Sequence, residues 1–347
     1  DASGRGADAV STAGHRADGA PATRGERPVV KVWSVSMVRN EADIVEPWVR
    51  HNLAVLDGMA IIDHGSIDRT LDILRRLAGE RLPLVLIDGK APGYLQEQMT
   101  TALARQVFAQ TGADFVLPLD ADEFLKTPSR EAMRRALAAI PSGMHGLLHW
   151  LTYVPDFASP TSDILALLRG ARRPAAERQV FYKAVITRHL LDSPAAALGH
   201  GNHCVAASLH GRLEDAPPHA RVRVEHAAIA HVPIRSADQL VAKVAVKKLA
   251  RLAANTDWQP DAASQAAYAS IVAGRMLDAA MLTEHAVNWS IPRPWWARPA
   301  DVPMVGDPFL APIELNYTPQ AAAAPVPLAA SAIERMVRRL LAARGRS

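Results

Sequence analysis

The chain has 347 residues, too many for one small core and suited to one large α/β unit or two modest domains. Its 39 Lys and Arg against 35 Asp and Glu leave a formal charge of +4, scattered along the chain, which excludes the dense basic face of a nucleic-acid binder. The single cysteine, Cys204, excludes an internal disulfide and a cysteine-based zinc site, and points to a reducing, cytoplasmic setting.

Residues 1–27 are Ala, Gly, Arg and Asp with almost no large apolar side chain, the composition of a disordered tail. They carry no apolar signal core, and no later run reaches the ~18 apolar residues of a spanning helix. Order is expected from VVKVWSVSMV (29–38), a buried strand rich in β-branched residues. The next stretch, RNEADIVEPWVRHNLAVLDG, places Ile44, Trp48 and Val55 at helical spacing, with Pro47 confined to the first turn. MAIID (59–63) is a second strand, LDILRRLAG a helix ended by Gly79, and LPLVLID (82–88) a third strand. GYLQEQMTTALARQVFAQTG reads as a helix stopped by Gly112, and FVLPLD as a fourth strand.

Strands alternating with helices imply a mostly parallel sheet with helices on its faces, whose ligands bind outside the carboxyl ends of the strands. After Phe124 the pattern changes to GLLHWLTYV, QVFYKAVITRH and VRVEHAAIAHV, three strands joined by long loops, which suggests a mixed sheet. From Ser236 the chain turns helical, with Ser236 and Gln239 in capping-box spacing. Residues 287–330 are rich in Trp and Pro. AIERMVRRLLAAR closes the sequence as an amphipathic helix, able to rest on an anionic membrane or on the protein's own surface. The expected organisation is a tail (1–27), an α/β domain (28–235, with halves at 28–126 and 127–235) and a C-terminal extension (236–347).

The chemistry concentrates in FVLPLDADEF. In an extended segment Asp120 and Asp122 would point the same way, past the small Ala121. Two hard carboxylates suit Mg²⁺ or Mn²⁺, which takes few protein ligands and completes its shell from substrate phosphate. Without the preceding buried strand, such a pair reads simply as a solvated strand end. In IIDHGSIDRT, Asp68 or Ser66 can cap the following helix. Asp63, at the strand mouth, is placed to accept from a nucleobase N–H.

Taken in order, VSMVRNEADIVEPWVRHN, IIDHGSIDRT and ADFVLPLDADEFL resemble the family 2 type glycosyltransferases of the GT-A fold, in particular a bacterial subgroup with an RNE and a D-x-D-E-F motif. The resemblance covers residues 30–126, and more loosely GHGNHCV and AHVPIRSADQLVAKV. It implies a Rossmann-like sheet and metal-dependent sugar transfer from a nucleotide-diphosphate donor, UDP-linked by preference, to a glycan, lipid or protein hydroxyl. It further implies that Met37, Arg39, Asn40 and Glu41 line the nucleotide pocket and that Asp63 contacts the base. Asp120 and Asp122 become the metal and diphosphate motif, with a late histidine, His231 or alternatively His203, completing the metal shell. An inverting transfer needs a carboxylate base; the candidates are Glu123, Asp156 and Glu177, with Glu123 able instead to orient a ligand, while Glu214–Asp215 sits in a polar loop. The arginines at 169, 172, 173 and 178 could meet an anion or simply be solvated, and Trp150 is the tryptophan best placed for a sugar. A sugar-1-phosphate nucleotidyltransferase is disfavoured by VRNEAD, which has no glycine-rich phosphate loop. The retained aspartates weigh against a non-catalytic scaffold.

Overall fold

The structure is a computed structural model that describes residues 29–89, 95–209, 221–253, 262–318 and 324–344. The expected tail and Glu214–Asp215 lie outside the described residues. In chain order the elements are β1 (Val32–Val38), α1 (Val45–Leu53), β2 (Gly58–Asp63), α2 (Thr70–Gly79), β3 (Leu84–Asp88), α3 (Gln96–Thr111), β4 (Phe115–Pro118), β5 (Glu123–Lys126) and α4 (Arg130–Ala138). They continue with β6 (His145–Thr152), α5 (Ile164–Gly170), β7 (Arg172–Pro174), β8 (Phe181–Thr187), β9 (Ala197–Leu198), β10 (Val205–Ala206) and β11 (Arg221–His231). The last are α6 (Ala237–Ala253), α7 (Ala262–Val272), α8 (Ala279–Val287), β12 (Met304–Gly306) and α9 (Pro325–Arg344).

Among the described residues eight strands form one mixed sheet in the order β3-β2-β1-β4-β8-β6-β11-β5. β1 pairs in parallel with β2 and β4, and β2 with β3. β8 is antiparallel to both β4 and β6, β6 is parallel to β11, and β5 is antiparallel to β11. Six strands therefore point to one edge, while β5 and β8 begin there. This is the α/β layout with a mixed second half that the pattern of strands and helices implies.

Local sequence explains the strand ends. Pro118 cannot donate to a ladder; the β4–β8 pairing ends at Val116, so Pro118 sits past it. Pro47 falls in the first turn of α1, where its missing N–H costs nothing. Ser236 Oγ accepts from the Gln239 amide (3.1 Å), and the Gln239 side chain accepts from the Arg235 amide (3.1 Å), which together start α6 at the end of the Pro233–Arg235 loop.

One apolar core joins the sheet to the later segments: Trp48, Leu56, Phe124 and Ile229 share it with Leu240, Leu282, Trp289 and Val302. A strap from β12 to Thr318 crosses the first half of the molecule. Asp307 takes Lys126 Nζ (2.7 Å) and Arg173 Nε (2.6 Å). The Ala311 amide donates to His51 Nδ1 (3.0 Å), and the amides of Asn316, Tyr317 and Thr318 donate to the buried Glu46 carboxylate at 2.7–2.8 Å. The arginines are ties rather than an anion cluster: Arg172 donates to the Met304 carbonyl and Arg178 to Asn288 and the Trp295 carbonyl, while Arg169 is exposed.

α9 docks on α6. Leu328 and Ala332 pack with Ala242 and Val246, and Arg335 donates to the Gly65 carbonyl (2.6 Å). Val326, Ile333 and Val337 stay exposed. Among the described residues no helix is long and apolar enough to cross a membrane.

Candidate active site

A cavity of about 460 Å³ opens at the edge to which the six strands point. Its lining draws on Met37 at the end of β1 with Arg39, Asn40 and Glu41 after it, Asp120 to Asp122 between β4 and β5, Glu123 at the start of β5, Trp150 on β6, His203, His231 at the end of β11, and Lys243 on α6. The topology brings these together, because each strand end and the start of α6 meet at that edge.

Asp120 and Asp122 do not continue an extended strand, as the sequence suggested. They sit in a tight turn closed by the Glu123 amide donating to the Asp120 carbonyl (3.1 Å). Each is held by a different ammonium. Lys183 Nζ, from β8, donates to Asp120 Oδ2 and Glu123 Oε1, both at 2.8 Å, and Gln96 donates to Asp120 Oδ1 at 2.8 Å. Lys243 Nζ, from the opposite side, donates to Asp122 Oδ2. The Lys183 side chain is 1% exposed and that of Lys243 22%.

Glu123 is fully buried and receives three donors: Lys183, Trp150 Nε1 (2.8 Å) and the Asp120 amide (2.9 Å). Burial pushes its carboxyl up, opposed by Lys183, and the same two carboxylates raise the Lys183 ammonium against its burial. A group with both oxygens so engaged orders the turn. Burial would also raise Asp122, but Lys243 and His231 hold it well below the usual carboxylate range.

His231 stacks on Trp150 with ring centroids 4.0 Å apart and an interplanar angle of 24°. Its Nε2 lies 3.5 Å from Asp122 Oδ2, and its buried Nδ1 has no partner among the described residues. Burial depresses its basicity, against the pull of Asp122. His203 is neutral, pushed down to about 4 by burial, with Nδ1 bonded to the Tyr182 carbonyl at 2.6 Å. Gly201 makes room for that ring: a Cβ there would meet His203 Nε2 at 2.7 Å.

Among the described residues no group of three or more His, Cys, Asp or Glu is arranged to hold a metal ion. The expected trio of Asp120, Asp122 and His231 is therefore not assembled, because Asp120 is taken by Lys183 and Gln96. Asp122 and His231 alone face each other. A hard divalent cation that draws its other ligands from phosphate and water needs only one or two carboxylates or comparable groups. The pair fits such a half-site, with His231 Nε2 facing Asp122 Oδ2 and Lys243 on the same oxygen.

The remaining expected residues divide. Glu41, which lines the cavity, is pushed up to about 7 by burial, while Arg235 Nη2 (2.6 Å) and Lys243 pull it down. Asn40 takes φ +57° and locks two strand ends together: its amide donates to Ser66 Oγ (2.9 Å) and its Oδ1 accepts from the Ile67 amide (2.9 Å). Asp63 is not at the cavity wall. Its Oδ2 accepts from the Gly65 and Ser66 amides (3.1 and 3.0 Å), a turn-capping role the strand-mouth reading overlooked, and its buried Oδ1 has no partner among the described residues. Asp68 accepts from the Thr70 amide (2.9 Å) at the start of α2. Asp156 is exposed and caps its own turn through the Ala158 amide (3.0 Å), and Glu177 accepts from the Thr152 amide (3.0 Å); neither lines the cavity.

Lys183, Lys243 and Arg235 were not foreseen. Lys183 interrupts the apolar run QVFYKAVIT, and a lysine buried in a strand must find acids. That was the available signal.

No family model matches the chain, and no curated protein matches it. Among solved structures, S. aureus TarS is 13% identical, with 76% of this chain and 44% of TarS covered at a TM-score of 0.32, so the chain spans less than half of TarS. A mannosyltransferase from Pyrobaculum calidifontis, solved with GDP-Man and Mn²⁺, is 18% identical, covering 76% of this chain and 81% of its own at 0.32. Glucosyl-3-phosphoglycerate synthase from Mycobacterium tuberculosis, solved with Mn²⁺, UDP and glucosyl-3-phosphoglycerate, is 17% identical, covering 67% and 82% at 0.34.

Proposed function

We propose that the protein is a metal-dependent glycosyltransferase that moves a sugar from a nucleotide diphosphate, UDP-linked by preference, to a hydroxyl of a glycan, lipid or protein with inversion. One observation carries the reading: a carboxylate and an imidazole, Asp122 and His231, face each other in a cavity at the carboxyl ends of parallel strands.

Mn²⁺ or Mg²⁺ held by Asp122 and His231 would supply positive charge against the departing diphosphate. The protein's own part is placement. Trp150 fixes the plane of the imidazole, and Glu123, through Trp150 and the Asp120 amide, fixes the turn. Lys183 is anchored to two carboxylates and fixes Asp120 against Glu123 at the turn. The residues after β1 would receive the nucleotide, with Asn40 holding their backbone against the β2 end. Preorganised charge of this kind acts strongly where water is scarce. The proton acceptor for the incoming hydroxyl belongs to the cavity carboxylates rather than to Asp156 or Glu177, which lie outside it. The exposed Val326, Ile333 and Val337 of α9 would allow peripheral contact with an anionic membrane, tested by flotation with anionic vesicles.

The test is calorimetric titration of UDP, GDP and their triphosphates with and without Mn²⁺, followed by a screen of sugar nucleotides for hydrolysis and transfer. Metal-dependent diphosphate binding and turnover of a sugar nucleotide are expected. Preference for triphosphates would point to a nucleotidyltransferase, and absence of nucleotide binding to a scaffold; either overturns the reading.

A further inference from the structure

Two lysines reach the acidic turn, and they are built differently. Lys183 is 1% exposed and lies between Asp120 and Glu123, so it has nowhere else to go. Lys243 is 22% exposed and is hydrogen-bonded to one carboxylate, Asp122. Glu41, itself held by Arg235 at 2.6 Å, attracts it only through space, and its other neighbours are weak: the Pro233 carbonyl at 3.5 Å and the face of Trp289, 5.5 Å from the ring centroid. It rises from the α6 face that walls the cavity, with Gln239, Ala242 and Val246 beside it.

We propose that Lys243 is an exchangeable cation that couples metal binding to diphosphate binding. This rests on the sugar-transfer reading above and on the half-site formed by Asp122 and His231. The oxygen that faces His231 at 3.5 Å, Asp122 Oδ2, is the one on which the ammonium sits. A dication entering between that oxygen and the imidazole meets a like charge on its own ligand, so Lys243 must leave as the metal arrives. A departing ammonium loses its acid unless another anion takes it. The cavity side of α6 is open to such an anion, and a diphosphate bridged to the metal would present its oxygens there. The metal alone therefore displaces Lys243 at a loss, whereas metal and diphosphate together give it a new partner. By thermodynamic reciprocity each ligand then tightens the other by the same factor. Lys183, locked between two acids, takes no part in the exchange.

The experiment measures Mn²⁺ binding to the full chain by the loss of the free-ion electron spin resonance signal, with and without UDP, for wild type, K243M, K243R and K247M. In wild type, UDP is expected to tighten Mn²⁺ by about tenfold or more. In K243M, Mn²⁺ alone is expected to bind about tenfold tighter, while the tightening by UDP shrinks to about threefold, the share that direct phosphate–metal contact leaves. K243R retains the wild-type pattern. K247M removes the same charge one turn further along α6 and is expected to change Mn²⁺ affinity by less than about twofold, which separates direct competition from long-range repulsion. Circular dichroism and thermal melting establish that each variant is folded, and K243Q replaces K243M should the latter not fold. The proposal is overturned if K243M binds Mn²⁺ no more tightly than wild type while both still bind Mn²⁺–UDP, or if K247M matches K243M. Absence of Mn²⁺–UDP binding in wild type instead overturns the sugar-transfer reading and this inference with it.

Discussion

The half that runs from β1 to β5 and the segments from α6 onward serve the cavity differently. The turns of the first half are closed by near neighbours: Asp63 caps the turn at Gly65 and Ser66, Asp68 caps Thr70, and Glu123 closes on the Asp120 amide. The later segments reach back to that half over long distances in sequence. Lys243 reaches Asp122, Arg235 reaches Asp43 at 2.7 Å and Glu41 at 2.6 Å, and the 316–318 backbone reaches Glu46. The lesson is that the first half builds the floor of the cavity, while the second supplies the charges that tune it and the ties that keep it covered.

The most severe way to break this comparison is at the point where the halves meet. Asp122→Asn keeps the shape of the side chain but removes the charge that Lys243 and His231 face. It is expected to lower kcat/KM for sugar-nucleotide turnover by about 10²–10³-fold, with metal-dependent UDP binding lost and the circular dichroism spectrum kept. A loss below about tenfold would detach the acidic turn from the chemistry.

Next in size is the tie at Glu46. Its carboxylate is fully buried and accepts three backbone amides and the Thr318 hydroxyl (2.9 Å) in addition to Arg50 Nε at 2.9 Å. Burial would raise this acid, but those donors hold it below its ordinary value. Glu46→Ala strips five donors of their acceptor and is expected to cost about 2–4 kcal/mol, read as a lower urea midpoint, with proteolysis appearing first within 304–318. An unchanged midpoint would mean that the strap is not coupled to the folding of the first half.

His51 sharpens the same point through pH. Its Nδ1 accepts from the Ala311 amide, so the proton is on Nε2, which donates to the Leu125 carbonyl (2.9 Å). Burial pushes the ring down to about 4, against the pull of that carbonyl. The sign follows: above about pH 6.5 both folded and unfolded rings are neutral, and the contribution is fully present. As pH falls from 6.5 toward 4, the unfolded ring gains a proton that the folded ring refuses, and stability is lost. Wild type is expected to lose about 1–2 kcal/mol more than His51→Gln between pH 7 and pH 5, measured by chemical unfolding at both values. Equal losses would show that His51 does not hold the strap.

Much of the first half could be read from the chain because its signals are local. β-branched runs announced β1 and β2, glycines marked the helix ends, and the spacing of Ile44 and Trp48 set the face of α1, which ends at Leu53, before Val55. The failures have a common cause. A carboxylate at a strand mouth looks the same whether it faces a ligand or two amides of the next turn, so the turn that Asp63 caps was not legible. Lys243 looks like the polar face of an amphipathic helix, and Glu46 like a first-turn acid. What makes each of them matter is a partner 121 or 272 residues away or an orientation that only the closed fold sets. The strap has neither helical nor strand periodicity, and its only marks were prolines.

The smallest expected effect tests where the site ends. Asp156 was a candidate for the catalytic base on type and position alone. It is exposed, its Oδ1 is spent on the Ala158 amide two residues on, and it does not line the cavity. Asp156→Ala should leave kcat/KM within about twofold of wild type, the range of an ordinary surface substitution. A larger fall, with the fold intact, would require the loop after Tyr153 to close over the cavity during turnover. The acceptor would then be gripped by the second half of the molecule as well as by the floor, and the division of labour between the two regions would have to be redrawn.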